Sequence, residues 1–188
     1  KNSAYDGFDE ETDEELLERL LFKVRQPATS GNKNHYIIWA TNVKGVGGVK
    51  VLPLWNGNGT VKVIITNAEN EIASEDLIAK VQNYIDEQRP IGATVTVVSP
   101  KPLNIDISLK VTKGSGNIDG IKNAVNDFFK TTAFKSEYVS YAQVGKVILE
   151  KTATGVQDYS DLTLNNQTEN IALTDEQLPT VGQVNLIE

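Results

Sequence analysis

The feature that most constrains this chain is a change of apolar period inside residues 45–102. Val49, Val51 and Leu54 precede the break Asn56-Gly57-Asn58-Gly59, and Val61, Val63 and Ile65 follow it. Alternating apolar residues on both sides of an Asn/Gly break specify a β-hairpin, because these residues accept the positive φ of a tight turn. From Ser74 the period lengthens. Leu77, Ile78, Val81, Tyr84 and Ile85 fall on one helical face, with Ser74 as N-cap. Arg89-Pro90 ends that helix, since a proline drives the residue before it out of the α region. Gly92 then opens a strand over residues 94–98. The result is a β-β-α-β unit.

Before this unit the spacing predicts a helical pair. Thr12 and Glu15 form a capping box, and Leu16, Leu17, Leu20, Leu21 and Val24 make an apolar stripe expected to lie against the β-β-α-β unit. Acids crowd the first turn while Lys23 and Arg25 sit in the last, as the helix dipole favours. Pro27 stops the helix and Thr29-Ser30-Gly31-Asn32 is a turn. A second helix over residues 33–43 carries Tyr36, Ile37, Ile38, Trp39 and Ala40, apolar nearly all round and so expected to be buried.

After Pro102 the pattern restarts. Leu103, Ile105, Ile107, Leu109 and Val111 alternate with Asn104, Asp106, Ser108 and Lys110, a strand with one wet face. A turn at Gly114-Ser115-Gly116 leads to a helix with Ile118, Ile121, Val125, Phe128 and Phe129 on one face. A further helix follows Ser140, through Tyr141, Val144, Val147 and Ile148. Short strands are expected at residues 161–164, 170–173 and 181–187. The expected fold class is α+β in two abutting small units. An acidic flexible leader (1–11) precedes the helical pair with its β-β-α-β unit (12–100), and a β-α-α-β-β-β unit (101–188) follows, with Pro100-Lys101-Pro102 as the joint.

Composition excludes several function classes. The net charge of −7 is carried by residues 1–18, and the rest of the chain is neutral. A neutral body offers no basic face to displace counterions from a nucleic acid. The strands also lack the exposed aromatics on which RNA-binding sheets stack bases. With no Cys and one His, a structural zinc site would have only carboxylates to draw on. His35 has no nucleophile elbow to serve, so it reads as part of the polar face of its helix. The glycines near 45–48 and 57–59 do not form the GxxxxGK[ST] of a P-loop. Asn58-Gly59-Thr60 and Asn166-Gln167-Thr168 match the glycosylation triplet, but no secretory signal opens the chain. No run of apolar residues reaches membrane-span length.

Several pieces then occur in a fixed order. They are Ser30-Gly31-Asn32, His35-Tyr36, Trp39-Ala40, Val43 with Gly45-Val46-Gly47, and Val51 with Pro53 and Trp55. Gly57-Asn58-Gly59-Thr60-Val61 with Val63 follows, then Arg89-Pro90-Ile91-Gly92-Ala93 with Val95 and Val97. In this order and spacing, residues 12–112 resemble the baseplate J-like family of contractile phage tails, Mu-type and prophage relatives included. Members also have an upstream region. A chain that starts at Lys1 and contains no Met agrees with an excised or trimmed piece.

The resemblance implies a structural wedge subunit of a virion tail baseplate, assembled in the bacterial cytoplasm. It would contact other wedge subunits and further copies of itself, with no nucleic acid, membrane or small-molecule substrate as partner. No catalytic, cofactor-binding or metal residue carries over, so no enzyme activity and no cofactor are expected. Pro53, Gly57, Gly59, Arg89, Pro90 and Gly92 map to turns and a helix stop, as structural positions. The competing reading is an α+β module that binds a ligand or peptide without catalysis. It would show one concave apolar pocket, where an assembly subunit would expose apolar patches.

Overall fold

The computed structural model describes residues 31–187 and, before them, Thr12, Asp13, Leu16, Leu17, Leu20 and Leu21. The leader (1–11), Glu15 of the capping box, and Lys23, Val24, Arg25, Pro27 and Ser30 lie outside the described residues.

Helix α1 (Lys33–Thr41) starts where the Asn32 side chain accepts from the His35 N–H. Tyr36, Trp39 and Ala40 are buried, and the Tyr36 ring meets Trp39 edge-on at 5.0 Å. Strands β1 (Val46–Pro53) and β2 (Thr60–Asn67) form the antiparallel hairpin, Val51 opposite Val63. Helix α2 (Glu75–Gln88), capped by Ser74, carries the chain over to β3 (Thr94–Val98), which pairs parallel with β2. The sheet order is β1-β2-β3. Helices α1 and α2 cover one face, and Val51, Val63, Ile65, Val81, Ile85 and Val97 form the centre of that core. Gln82 also closes the outer edge of β3. Its Oε1 accepts from the Val97 N–H at 2.8 Å and its Nε2 donates to the Val95 carbonyl at 3.2 Å, occupying groups that an unpaired edge would leave open.

The second unit begins after Ser99-Pro100 with the long strand β4 (Lys101–Gly114). Helix α3 (Ile118–Thr132), a two-residue strand β5 (Tyr138–Val139), helix α4 (Tyr141–Glu150) and a 3-10 turn (Thr152–Thr154) come next. Strands β6 (Val156–Leu164), β7 (Ile171–Ala172) and β8 (Gln177–Ile187) complete it. β4 is central, antiparallel to β6 and parallel to β8, while β5 and β7 pair separately. Ile105, Ile107 and Leu109 of β4 meet Ile121, Val125 and Phe129 of α3 and Val144 and Ile148 of α4 in one core. The opposite face of this sheet, with Asn104, Asp106, Lys110, Gln183 and Asn185, is exposed.

The fold is α+β in small units, as the periodicity predicts. Three details differ. The strand β5 has no counterpart in the expected order, because two residues carry no period. β6 and β8 start well before the expected 161 and 181. Pro179 lies inside β8, where its missing N–H is tolerated because β8 is an edge strand.

The leucine stripe is a correction. Leu16, Leu17 and Leu20 are helical but stand 46%, 54% and 55% exposed, with Leu21 partly buried, so the stripe is not the buried face expected. Helical period shows that a face is apolar; it does not supply the surface that covers it.

Candidate interaction surfaces

The single histidine is engaged within its own helix region. His35 stacks on Trp39 with ring centroids 3.9 Å apart, and its Nδ1 accepts from the Gly31 N–H at 3.4 Å. Among the described residues no three His, Asp or Glu side chains gather where they could hold a metal ion. No helix among them is long and apolar enough to cross a membrane.

The structure does bring the six motif positions together, at one end of the first sheet. Pro53 ends β1, and the turn after it is closed by Leu54 N–H donating to the Thr60 carbonyl at 2.7 Å. Gly59 has φ +75°, and its carbonyl accepts from Thr94 N–H at 2.8 Å, which ties the hairpin turn to the start of β3. A Cβ at Gly59 would lie 3.2 Å from the Gly92 carbonyl. The residue 90–93 turn is closed by Ala93 N–H to the Pro90 carbonyl, with Gly92 at φ +91°. Such a turn requires positive φ at its third residue. Arg89 braces it. Its Nε is 2.6 Å from Asp86 Oδ1, and its guanidinium donates to the Ala93 carbonyl. Hydrogen bonds from Gln82 and then Arg89 hold the Asp86 carboxyl below its ordinary value. Pro90 packs so closely on Gly31 that a Cβ there would come within 2.9 Å of the proline ring. This knot of turns presents Leu54, Trp55 and Ile91 to solvent, Ile91 completely.

A second surface lies between the units. Lys62, Ile64 and Thr66 of β2 point away from the first core and are buried nonetheless. Residues of the second unit reach this face. Lys62 Nζ is 2.5 Å from Glu176 Oε1 and sits 3.8 Å over the Trp55 ring centroid, a cation–π contact. Lys101 reaches the other Glu176 oxygen at 3.3 Å, Lys50 pairs with Asp175 at 2.7 Å, and Lys130 pairs with Glu71 at 2.9 Å. The Phe134 ring would be 3.1 Å from a Cβ placed on Gly48. Hydrogen bonds from the lysines hold Glu176, Asp175 and Glu71 below ordinary carboxylate values, and Glu71 raises Lys130 in turn. Sequence reasoning missed these residues. The one available signal was Lys62 inside a β-branched run.

The second unit also has an open cavity of about 340 Å3 edged by Phe128, Phe129, Tyr138, Val139, Leu173 and Pro179. Thr132, Ser136, Ser140 and Gln143 line it as well. Its lining holds hydroxyl and amide groups and no Asp, Glu, His, Lys or Arg side chain.

The chain is thus an α+β protein of two sheet units, joined by a polar face and carrying a knot of braced turns at one end of the first sheet. Residues 28–99 match the Baseplate J-like central domain, and residues 103–187 match the Baseplate J-like protein C-terminal domain. The chain belongs to the Baseplate J-like family. It is 41% identical over 194 residues to the phage-like element PBSX protein XkdT of Bacillus subtilis (strain 168), covering 97% of this chain and 55% of that protein. Baseplate protein gp47 of Escherichia phage Mu is 27% identical over 191 residues, covering 95% of this chain and 52% of that protein. The chain thus spans about half the length of these relatives. The fold is similar to a chain in the cryo-EM structure of the anti-feeding prophage baseplate, with TM-score 0.60 and 14% identity. That match covers 92% of this chain and 42% of the other.

Proposed function

We propose that this protein is a structural subunit of a contractile phage or prophage tail baseplate, acting through protein–protein contacts. The observation that carries the reading is that family-matched regions occupy nearly the whole of both sheet units, in family order. In this reading the partners are other wedge subunits and further copies of the same chain. The protein has no catalytic task, and it resides in the tail baseplate after assembly in the bacterial cytoplasm. Residues 12–100 and 101–188 act as two units. Pro53, Gly57, Gly59, Arg89, Pro90 and Gly92 serve the fold of the first unit and touch no substrate.

The test is made on tail particles. Deleting the gene should stop contractile tails from assembling, and complementation should restore them. Antibody raised against this chain should label only the distal end of the tail tube. Normal tails without the gene, or label spread along the sheath, would sink the proposal.

A further inference from the structure

The two Asn-Gly pairs of the chain, Asn56-Gly57 and Asn58-Gly59, lie side by side in the exposed hairpin turn. An asparagine followed by glycine is prone to cyclise. The next backbone nitrogen can reach the side-chain amide carbon without a Cβ in the way, and asparagine is a thermolabile residue for such reasons. The two pairs are not equivalent. The Gly57 N–H donates to the Leu54 carbonyl at 3.3 Å, and the Asn56 N–H donates to Thr60 Oγ1 at 3.0 Å. Both nitrogens flanking the Asn56 side chain are therefore held. Among the described residues the Gly59 N–H has no hydrogen-bond partner. Both Asn58 and Gly59 are exposed, so water and hydroxide reach the reacting atoms.

We propose that Asn58 is a site of spontaneous, enzyme-free modification to isoaspartate and aspartate. Hydroxide removes the Gly59 amide proton, and the nitrogen attacks Asn58 Cγ. The N–Cγ bond forms, the Cγ–Nδ2 bond breaks, and Nδ2 takes a proton from water and leaves as ammonia. Water then opens the succinimide. Cleavage at Cγ gives aspartate; cleavage at the main-chain carbonyl gives isoaspartate, which routes the backbone through the former side chain. Water is the only co-reactant, and no electrons are transferred. Either product adds a carboxylate to the turn that also exposes Leu54 and Trp55. The isoaspartate also lengthens the backbone next to Gly59, whose carbonyl holds the Thr94 N–H. The turn knot thus changes charge and shape with age, whatever partner it meets.

The test incubates the folded chain in mildly alkaline buffer, with peptide mapping that separates isoaspartate from aspartate. An isoaspartyl methyltransferase assay provides an independent count. Conversion at position 58 should exceed that at position 56 several-fold and rise in proportion to hydroxide. Asn58→Gln should remove most of the methyl-accepting product from the turn, and Asn56→Gln should leave it nearly unchanged. Melting curves of both variants should match the parent, since the side chains are exposed. Equal or faster conversion at Asn56, or no conversion at either position, would overturn the proposal.

Discussion

The two sheets of this molecule are covered differently. The second sheet is covered on one face by α3 and α4 and leaves Asn104, Asp106, Lys110, Gln183 and Asn185 in water. The first sheet is covered on both faces, by α1 and α2 on one side and by reaching residues of the second unit on the other. The strands record the difference. β4 alternates apolar and polar residues, whereas β2 is buried continuously from Lys62 to Thr66. A strand with one wet face belongs to a self-sufficient layer; one buried on both faces needs a second layer. The outer face of the first sheet therefore meets the second unit, through ion pairs at Glu176 and Asp175 and with Phe134 close to Gly48.

The sharpest way to break this comparison is Ile64→Ala. Ile64 is fully buried yet stands outside the first core. If the second unit covers it, truncation should cost about 2–5 kcal/mol, the range for a large buried aliphatic. Ile107→Ala, in the core of the second unit, should cost a similar amount. Chemical denaturation of both variants measures this. A loss for Ile64→Ala within error of wild type would mean that the outer face of the first sheet is open and the two sheets are alike.

Next in size is Gly59→Val. A β-branched residue at φ +75° is strained, and its Cβ would press on the Gly92 carbonyl. We expect a loss of about 1–3 kcal/mol, read as a lower unfolding midpoint. An unchanged midpoint would mean that the knot of turns relaxes freely.

These turns were legible in the sequence because their causes are local. The Asn/Gly break, Ser74, Arg89-Pro90 and Gly92 act on their own neighbours, and β3 falls on the expected residues. The inter-unit face was not legible. Lys62 is buried by Glu176, 114 residues away, and no spacing within β2 announces that partner. The parallel pairing of β8 with β4 is equally remote. In β8, Pro179 argues against a strand until the edge position is known. Among the candidate positions, the glycines could be named as turns from residue type alone. Their convergence with Gly31 and Pro90 needed the crossover of α2.

A smaller effect comes from the polar part of the junction. Glu176→Ala removes the partner of Lys62, whose side chain is only 10% exposed. An unpaired, nearly buried donor costs about 1–2 kcal/mol here, toward the low end of the usual range, because the Trp55 ring stays over Nζ. Lys146→Ala, which breaks an exposed pair with Glu150, should cost less than about 0.5 kcal/mol. The junction also sets a pH dependence. Glu71, Asp175 and Glu176 are held below ordinary carboxylate values, so the folded state binds protons less readily than the unfolded chain. Their contribution is present above the ordinary carboxylate range and is lost as pH falls through the lowered values. Stability measured against pH should therefore decline on the acid side, and Glu176→Ala should make that decline shallower. A parallel profile in the variant would show that Glu176 is not part of the acid response.

The smallest expected effect is at the leucine stripe, and it separates a face made for the fold from one made for a partner. An amphipathic helix packed on the first unit would make Leu20→Asp severe, since it would bury an unpaired charge. Leu20 is instead 55% exposed and Leu16 and Leu17 are similar, so the substitution falls among surface changes, within about 0.5 kcal/mol of wild type. Its melting curve should nearly overlay that of the parent. If the stripe serves subunit contacts in the proposed baseplate, the same variant should fold normally but fail to rescue tail assembly in a gene-deletion strain. A large drop in melting temperature would show that the leucines are covered by this chain, and the contrast between the junction and the stripe would disappear. Normal melting with full rescue would leave the contrast standing and remove the stripe from the assembly contacts.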